Sequence, residues 1–407
     1  MLRAVSAKLK PQVVLLGLAA LLNDTASELI YPLLPVYLTT TLGATPVVVG
    51  LIEGAADGLA SILKYFSGAW SDRVRRRKPL IVTGYGLAAS ARLLIAAATM
   101  WPLILAARLV DRTGKGLRSA PRDAMISDVT PPDQRGRAYG FHRALDHTGA
   151  IAGPLLAVLL LQGLGFSMRQ TFLFAVIPGA IGVAMLAFLL REEKTGEREA
   201  TKAESPALPQ GSSLVAHRSS FRRALGAIAL FSLANSSDAF LLLQAHAAGV
   251  SAAMLPLLWA AHHVIKSLFS TRAGALSDRV DRRYLLVAGW LSYAVIYALF
   301  PFATTLTSFV ILFVLYAIPF TLAEGAERAW IADLVPKEVR GKSFGIYYLV
   351  NGACVLAGTA LFGLIYQSAS PRAAFFTGAA LALAAAAAVM TTGTPLAPNN
   401  VGLLKPK

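Results

Sequence analysis

Apolar stretches about as long as a bilayer is thick, parted by short turns, run through the whole chain and constrain its fold more than any other feature. From Ala373 to Met390, eighteen residues pass without a charged side chain. Lipid offers no partner to a bare backbone N–H or C=O, so such segments cross a membrane only as helices or as a closed barrel. Their length selects helices. The 407 residues are 56% hydrophobic and 15% charged, a balance that excludes a water-soluble enzyme.

Twelve spans are expected, near 12–40, 47–70, 79–99, 101–126, 138–162, 168–190, 223–246, 252–275, 284–301, 305–332, 343–366 and 372–392. Residues 191–222 differ from all of these, being rich in Glu, Lys, Ser and Pro without apolar periodicity, and read as a flexible linker. The expected fold is therefore an all-α membrane protein of two six-helix bundles, 1–190 and 223–407, joined by a cytoplasmic linker. Met1 to Lys10 is basic and precedes an apolar run, but no small-residue cleavage site follows, so an uncleaved first helix is expected.

The net charge of +16 raises the question of nucleic acid. Its distribution answers otherwise. Lys and Arg crowd the loops on one side, five at 73–78, three at 279–283 and three at 337–342, whereas the loops of the other side hold only Arg169 and Arg372. By the positive-inside rule both termini face the cytoplasm, and the expected location is a bacterial inner membrane. The basic excess then reports orientation, and no nucleic-acid partner is expected.

The halves repeat. Ser71-Asp72-Arg73-Val74-Arg75-Arg76-Arg77 returns as Ser277-Asp278-Arg279-Val280-Asp281-Arg282-Arg283 at an offset of 206. Asp128, Arg135-Gly136 and Gly140 return as Asp333, Arg340-Gly341 and Gly345 at an offset of 205. Two unrelated strings at nearly one offset mark duplicated halves, the build of many secondary transporters.

On these residues the chain resembles the major facilitator superfamily. Gly68 to Lys78 is similar to that family's signature loop between helices 2 and 3, and Gly274 to Arg283 to its second-half copy. The resemblance implies that Asp72 and Asp278 face the N-terminal ends of helices 11 and 5 and favour an outward-open state. Gly68, Asp72, Arg73, Arg76, Gly274, Asp278 and Arg279 are then gate candidates, with Arg118, Arg122 and Asp123 at the cytoplasmic end of helix 4. Helix 5 carries Gly140, Gly149, Gly153 and Pro154, which resemble the glycine-rich antiporter motif of the drug-efflux branches. Ala157-Val158 stand where that motif ends in glycines. Spaced glycines also serve plain helix packing, and a proline bends its helix.

Charges at membrane depth are expensive and usually face a cavity, so their distribution is the sharpest functional signal. Asp24 and Glu28 lie four apart on helix 1, and Glu53 and Asp57 four apart on helix 2, so each pair shares a face. These four carboxylates are the candidate proton carriers; structural ion pairs with arginines are the competing reading. On helix 4, Arg108, Arg112, Lys115, Arg118 and Arg122 fall within an arc of about 120°. That basic stripe either neutralises carboxylates or, where it faces open space, attracts a carboxylate or phosphate. Asp111 and Lys115 form a candidate i,i+4 pair, as do Glu324 and Arg328 at the end of helix 10.

The ligand candidates are Arg108, Arg112 and Lys115 with Arg143, Asp146 and His147 on helix 5 and Tyr347 and Asn351 on helix 11. Asp238, beside Asn235, is the expected second-half counterpart of Asp24. His262-His263 suggest a metal ligand, but no third ligand is visible and no metal site is assigned. The lone Cys354 excludes an intramolecular disulfide. No nucleophile-base constellation or nucleotide loop is present, so an enzyme is not expected.

The sequence thus points to a monomeric, proton-coupled secondary transporter that exports a small organic compound by alternating access, driven by the proton gradient without a cofactor. Uptake or exchange of an organic anion or phosphate ester, transport of a metal or metal chelate, and a non-transporting sensor or scaffold are the alternatives.

Overall fold

The computed structural model describes residues 9–31, 33–34, 37–44, 46–192, 212–235, 241 and 255–392. Twelve long helical segments form among them. In the first half these are α1 (Pro11–Ile30), α2 (Pro46–Val74), α3 (Lys78–Ala97), α4 (Trp101–Val129), α5 (Arg135–Val158) and α6 (Met168–Leu189). In the second they are α7 (Ser212–Ala234), α8 (Leu255–Ser277), α9 (Arg282–Leu299), α10 (Leu306–Asp333), α11 (Arg340–Ser368) and α12 (Pro371–Met390). Eight of these segments are long and apolar enough to cross a membrane by composition alone. The other four are α2, α4, α7 and α8, and α2 and α4 hold several of the charges singled out above.

The local sequence explains the ends and the breaks. Ser167 and Thr305 close capping boxes at the starts of α6 and α10, and Ser370 caps α12. α6 is interrupted at Ala175 and α10 at Tyr316. Pro178 and Pro319 stand three residues beyond these breaks and lack the N–H that would bond the carbonyls of Phe174 and Leu315. The helix of α7 begins at Ser212, inside the segment expected to be linker. The reason is visible in retrospect, since Pro209 and Gly211 end the helix-breaking residues and none recurs before Gly226.

The halves meet through two helix pairs, α5 on α8 and α2 on α11, with α10 lying against α5. Glycines allow the closest approaches. A Cβ at Gly68 would run into the carbonyl of Gly341, and one at Gly274 into that of Gly136. Within the first half, a Cβ on Gly149 would stand 2.5 Å from the Leu21 carbonyl and one on Gly153 2.7 Å from that of Thr25, so the helix-5 glycines bring α1 into backbone contact. Gly140 does the same for α8, against Ser270. The second half is filled by stacked aromatics, among them Trp290, Tyr293, Tyr297 and Tyr316, all fully buried.

Candidate functional site

At the end of the molecule that carries the basic loops, the halves are closed by two copies of one arrangement. Asp72 accepts hydrogen bonds from the first-turn N–H groups of α11, Gly341 at 3.0 Å and Lys342 at 2.7 Å. Asp278 accepts from Gly136 at 2.7 Å and Arg137 at 2.8 Å, in the first turn of α5. Free first-turn N–H groups and the positive end of the helix dipole are what a carboxylate is suited to bind. Burial pushes the Asp278 carboxyl above its ordinary value, against the pull of Arg282 and of these two N–H groups.

Behind each aspartate sits an arginine. Arg77 reaches Asp72 at 3.0 Å and Asp128 at 2.8 Å, and Arg282 reaches Asp278 at 2.9 Å and Asp333 at 2.7 Å. Asp128 and Asp333 then bind across the halves, to Arg340 at 3.0 Å and Arg135 at 2.5 Å. Arg77 matches Arg282 at an offset of 205, whereas Asp72 matches Asp278 at 206. The first-half loop therefore holds one more residue between them, and Arg75, with its left-handed φ of 54°, lies in that stretch. Arg73, Arg76 and Arg279, expected at the gate, are exposed, with Arg279 beside Arg137 in an open pocket between the halves; the side chains on the two aspartates are the buried Arg77 and Arg282, Arg77 rather than Arg76 because the first-half loop is one residue longer.

Deeper in, a second polar layer joins the halves. Asp123 pairs with Arg122 at 2.9 Å, lies 3.6 Å from Arg328 of α10, and accepts a hydrogen bond from Tyr348 of α11. Glu324 of α10 binds Lys266 at 2.8 Å, His147 at 3.3 Å and, more loosely, Arg143 at 3.8 Å. The expected Glu324–Arg328 side-chain pair is thus replaced, with Arg328 donating to the Glu324 backbone carbonyl instead. Arg143 is tied to Asp146 at 2.6 Å, and His147 touches His263 at 3.2 Å between their Nδ1 atoms. Asn351 donates to Ser232 at 2.9 Å. Arg143, Asp146, His147 and Asn351 therefore engage protein groups, and Tyr347 is buried beside them.

A cavity of about 310 Å³ opens between α1, α3 and α4 in the first half. Asp24, Glu28 and Asp111 line it, as do Arg92, Arg108, Arg112, Lys115 and Arg118. Five cations meet three carboxylates, a surplus of two positive charges. Asp111 is satisfied by Arg108 and Arg112, each at 3.5 Å, and Arg112 also reaches Asp57 at 2.9 Å. The side chain of Asp57 is 66% exposed, so this second pair is wet.

The expected Asp111–Lys115 pair does not form, and Asp111 instead meets the arginines on either side, both through Oδ2. Lys115 is exposed to the cavity, and among the described residues its ammonium has no hydrogen bond or ion pair. Asp24 accepts one hydrogen bond, from Asn23 at 3.0 Å, and neither Asp24 nor Glu28 has a cation within ion-pair distance among the described residues. The competing reading, a structural ion pair of Asp24 with an arginine, does not form among the described residues. Arg118 is also relocated from the gate: it stacks over Tyr85 at 4.5 Å and donates to Gly84, all within the first half. The side chain of Glu53, and all of Asp238, lie outside the described residues.

Arg92 was missed by the sequence reading. It is buried, donates to the Asn23 backbone, the Asn23 side chain and Ser27 at 2.8 to 3.0 Å, and fits because a Cβ on Gly179 would come within 2.5 Å of its guanidinium. Its signal was present, since it is the one charge in the stretch from Pro79 to Met100. Among the described residues no group of three or more His, Cys, Asp or Glu side chains is placed to hold a metal ion.

The family model of the Major Facilitator Superfamily matches residues 16–261 and 224–405. An uncharacterized MFS-type transporter of Methanocaldococcus jannaschii is 31% identical over 383 residues, covering 92% of this chain and 93% of that protein. The multidrug resistance protein MdtH of Photorhabdus laumondii is 34% identical over a shorter stretch of 158 residues, 39% of this chain and 37% of that one. Among solved structures, that of the human organic anion transporter MFSD10 superposes with a TM-score of 0.74 at 17% identity, over 93% of this chain and 100% of that one.

Proposed function

The chain belongs to the major facilitator superfamily, and we propose that it is a proton-coupled secondary transporter that moves a small organic compound by alternating access. It sits in a bacterial inner membrane with both termini in the cytoplasm, and the arrangement described above is its cytoplasm-closed state. One observation carries the reading. A cavity above the closure is lined by Asp24, half-buried against Gly149 of α5 and free of any ion pair among the described residues, so this carboxylate can take and release a proton without first breaking a salt bridge.

Protonation removes its charge beside Asp146 of α5 and shifts the balance between the two arrangements of the halves. In proteoliposomes with an imposed pH gradient, Asp24→Asn is expected to abolish gradient-driven movement of a carried compound while leaving its exchange across the membrane in place. Gradient-driven movement at the wild-type rate in that variant removes Asp24 from the mechanism.

The narrower reading, efflux in exchange for protons, draws support from the partial likeness to MdtH and from the glycine series of α5. Accumulation in inverted vesicles upon acidifying their interior is the expected outcome for that direction.

A further inference from the structure

We propose that the cargo is a small organic anion, with its carboxylate or phosphate on the ammonium of Lys115 and its apolar body toward Tyr31, Leu34 and Ile95, and that a proton on Asp24 tightens its binding. This rests on the transport reading of the same cavity and names what fills it.

Charge comes first. The wall of the cavity holds five cations against three carboxylates, and a cleft with low-dielectric walls focuses such a surplus on whatever enters. A cationic cargo would have to displace that field, and a neutral one would leave it standing. Second is the position of the surplus. Arg92 is used by Asn23 and Ser27, Arg118 by Tyr85 and Gly84, Arg108 by Asp111 and the Tyr31 ring, and Arg112 by Asp111 and Asp57. Lys115 is left facing open space, a compact three-donor cation without a partner among the described residues.

Third is the shape of the chemistry. Ile30, Tyr31, Leu34 and Ile95 line the same cavity, which gives one end of a ligand an apolar wall, while the volume suits a molecule of drug-fragment size. The second half shows that the stripe is not a requirement of the duplicated fold. At the offset of 205, Arg108, Asp111, Arg112, Lys115 and Arg118 correspond to Phe313, Tyr316, Ala317, Phe320 and Ala323. Phe313, Tyr316 and Phe320 pack around His262. The repeat builds a filled aromatic layer from the positions that line a charged cavity in the first half.

The linkage to the proton follows from proximity. Asp24 faces Glu28 on its own helix, Tyr85 and Arg92 on α3, Lys115 and Arg118 on α4, and Asp146 on α5. Ionised, it opposes an anion seated on Lys115; protonated, it does not. Binding of proton and anion is then mutually favourable, which directs both the same way across the membrane and sets this inference against the narrower exchange reading above, while leaving the proton-coupled transport reading in place.

The test is isothermal titration of the purified protein with four probes that share a ring: benzoate, phenyl phosphate, benzyl alcohol and benzylamine. Benzoate, phenyl phosphate or both are expected to bind more tightly than the alcohol and the amine, and which of the two binds identifies the headgroup. Affinity for the anion is expected to rise about tenfold between about pH 8 and about pH 5, within the usual range for linked sites. Lys115→Gln should lower it by a similar factor, whereas Lys337→Gln on an exposed turn should not. Asp24→Asn should remove the pH dependence and keep the tight limit.

Binding of the alcohol or amine as tight as that of either anion, or anion binding unchanged in Lys115→Gln, overturns the inference. Binding is measured without a gradient, so anion binding without gradient-driven flux counts against the transport reading alone. Flux of another compound that depends on Asp24, without anion binding, counts against this inference alone.

Discussion

The closure at the basic end and the cavity above it were built from the same duplicated halves, yet duplication is preserved in one and erased in the other. At the closure, Asp72, Arg77, Asp128 and Arg135 have counterparts in Asp278, Arg282, Asp333 and Arg340, and the matching distances agree to within about half an ångström. In the cavity, a run of charge in one half answers to aromatic packing in the other. Between them the dyad Arg122-Asp123 on α4 faces its repeat Glu327-Arg328 on α10 with the signs reversed, so that Asp123 meets Arg328 across the interface. A closing device serves both halves alike and tolerates symmetry. A site that must bind one ligand off the axis does not need two copies.

The comparison can be broken first at its most symmetric point. Arg77→Ala and Arg282→Ala each take one partner from two half-buried carboxylates, and each should cost the closed state on the order of 3–5 kcal/mol, the cost of removing one partner of a buried pair. Distances between spin labels on Val74→Cys and Val339→Cys, in a Cys354→Ala background, should lengthen in both variants by the same amount. Unequal responses would show that the twin arrangements are not equivalent in energy.

Asp72→Asn and Asp278→Asn come next. Each keeps one acceptor and loses the charge, and an expected loss of about 1.5–3 kcal/mol follows from weakening hydrogen bonds to a charged group. The same label pair reads it. Gly149→Leu tests the first half alone, because a side chain there must push α1 and with it Asp24 away from α5. A fall of about 1–3 kcal/mol is expected from overpacking, seen as a lower melting temperature, with the label distances at the closure unchanged. At the small end, Arg73→Ala, Arg76→Ala and Arg279→Ala should move the closed population by no more than about 0.5 kcal/mol, as for other exposed positions.

Much of this fold was legible in the sequence because bilayer-length apolar runs and loop charge depend on local composition. Asp72 and Asp278 were found the same way, by a repeat whose spacing is rigid. The arginines behind them were misassigned for a definite reason. An offset of 206 in one string and 205 in the other already announced a one-residue difference, but only the left-handed turn around Arg75 shows where it falls. Partner choice was the least readable layer. Spacing allowed Asp111 to pair with Lys115 and Glu324 with Arg328, and in both cases a competing cation takes the carboxylate, Arg108 and Arg112 in the first and Lys266 in the second. A helical wheel ranks neighbours on one helix and is blind to those on the next. The linker boundary failed for the opposite reason, since a polar helix lacks the periodicity that marks an apolar one.

The most direct test of the account is a measurement of coupled flux. Proteoliposomes enclosing a pH-sensitive dye are given phenyl phosphate outside, or benzoate if that is the headgroup that binds, and passive entry is subtracted with Lys115→Gln liposomes. Acidification of the interior that exceeds this background and disappears in Asp24→Asn is the predicted result. Equal acidification in wild type, Lys115→Gln and Asp24→Asn would contradict it.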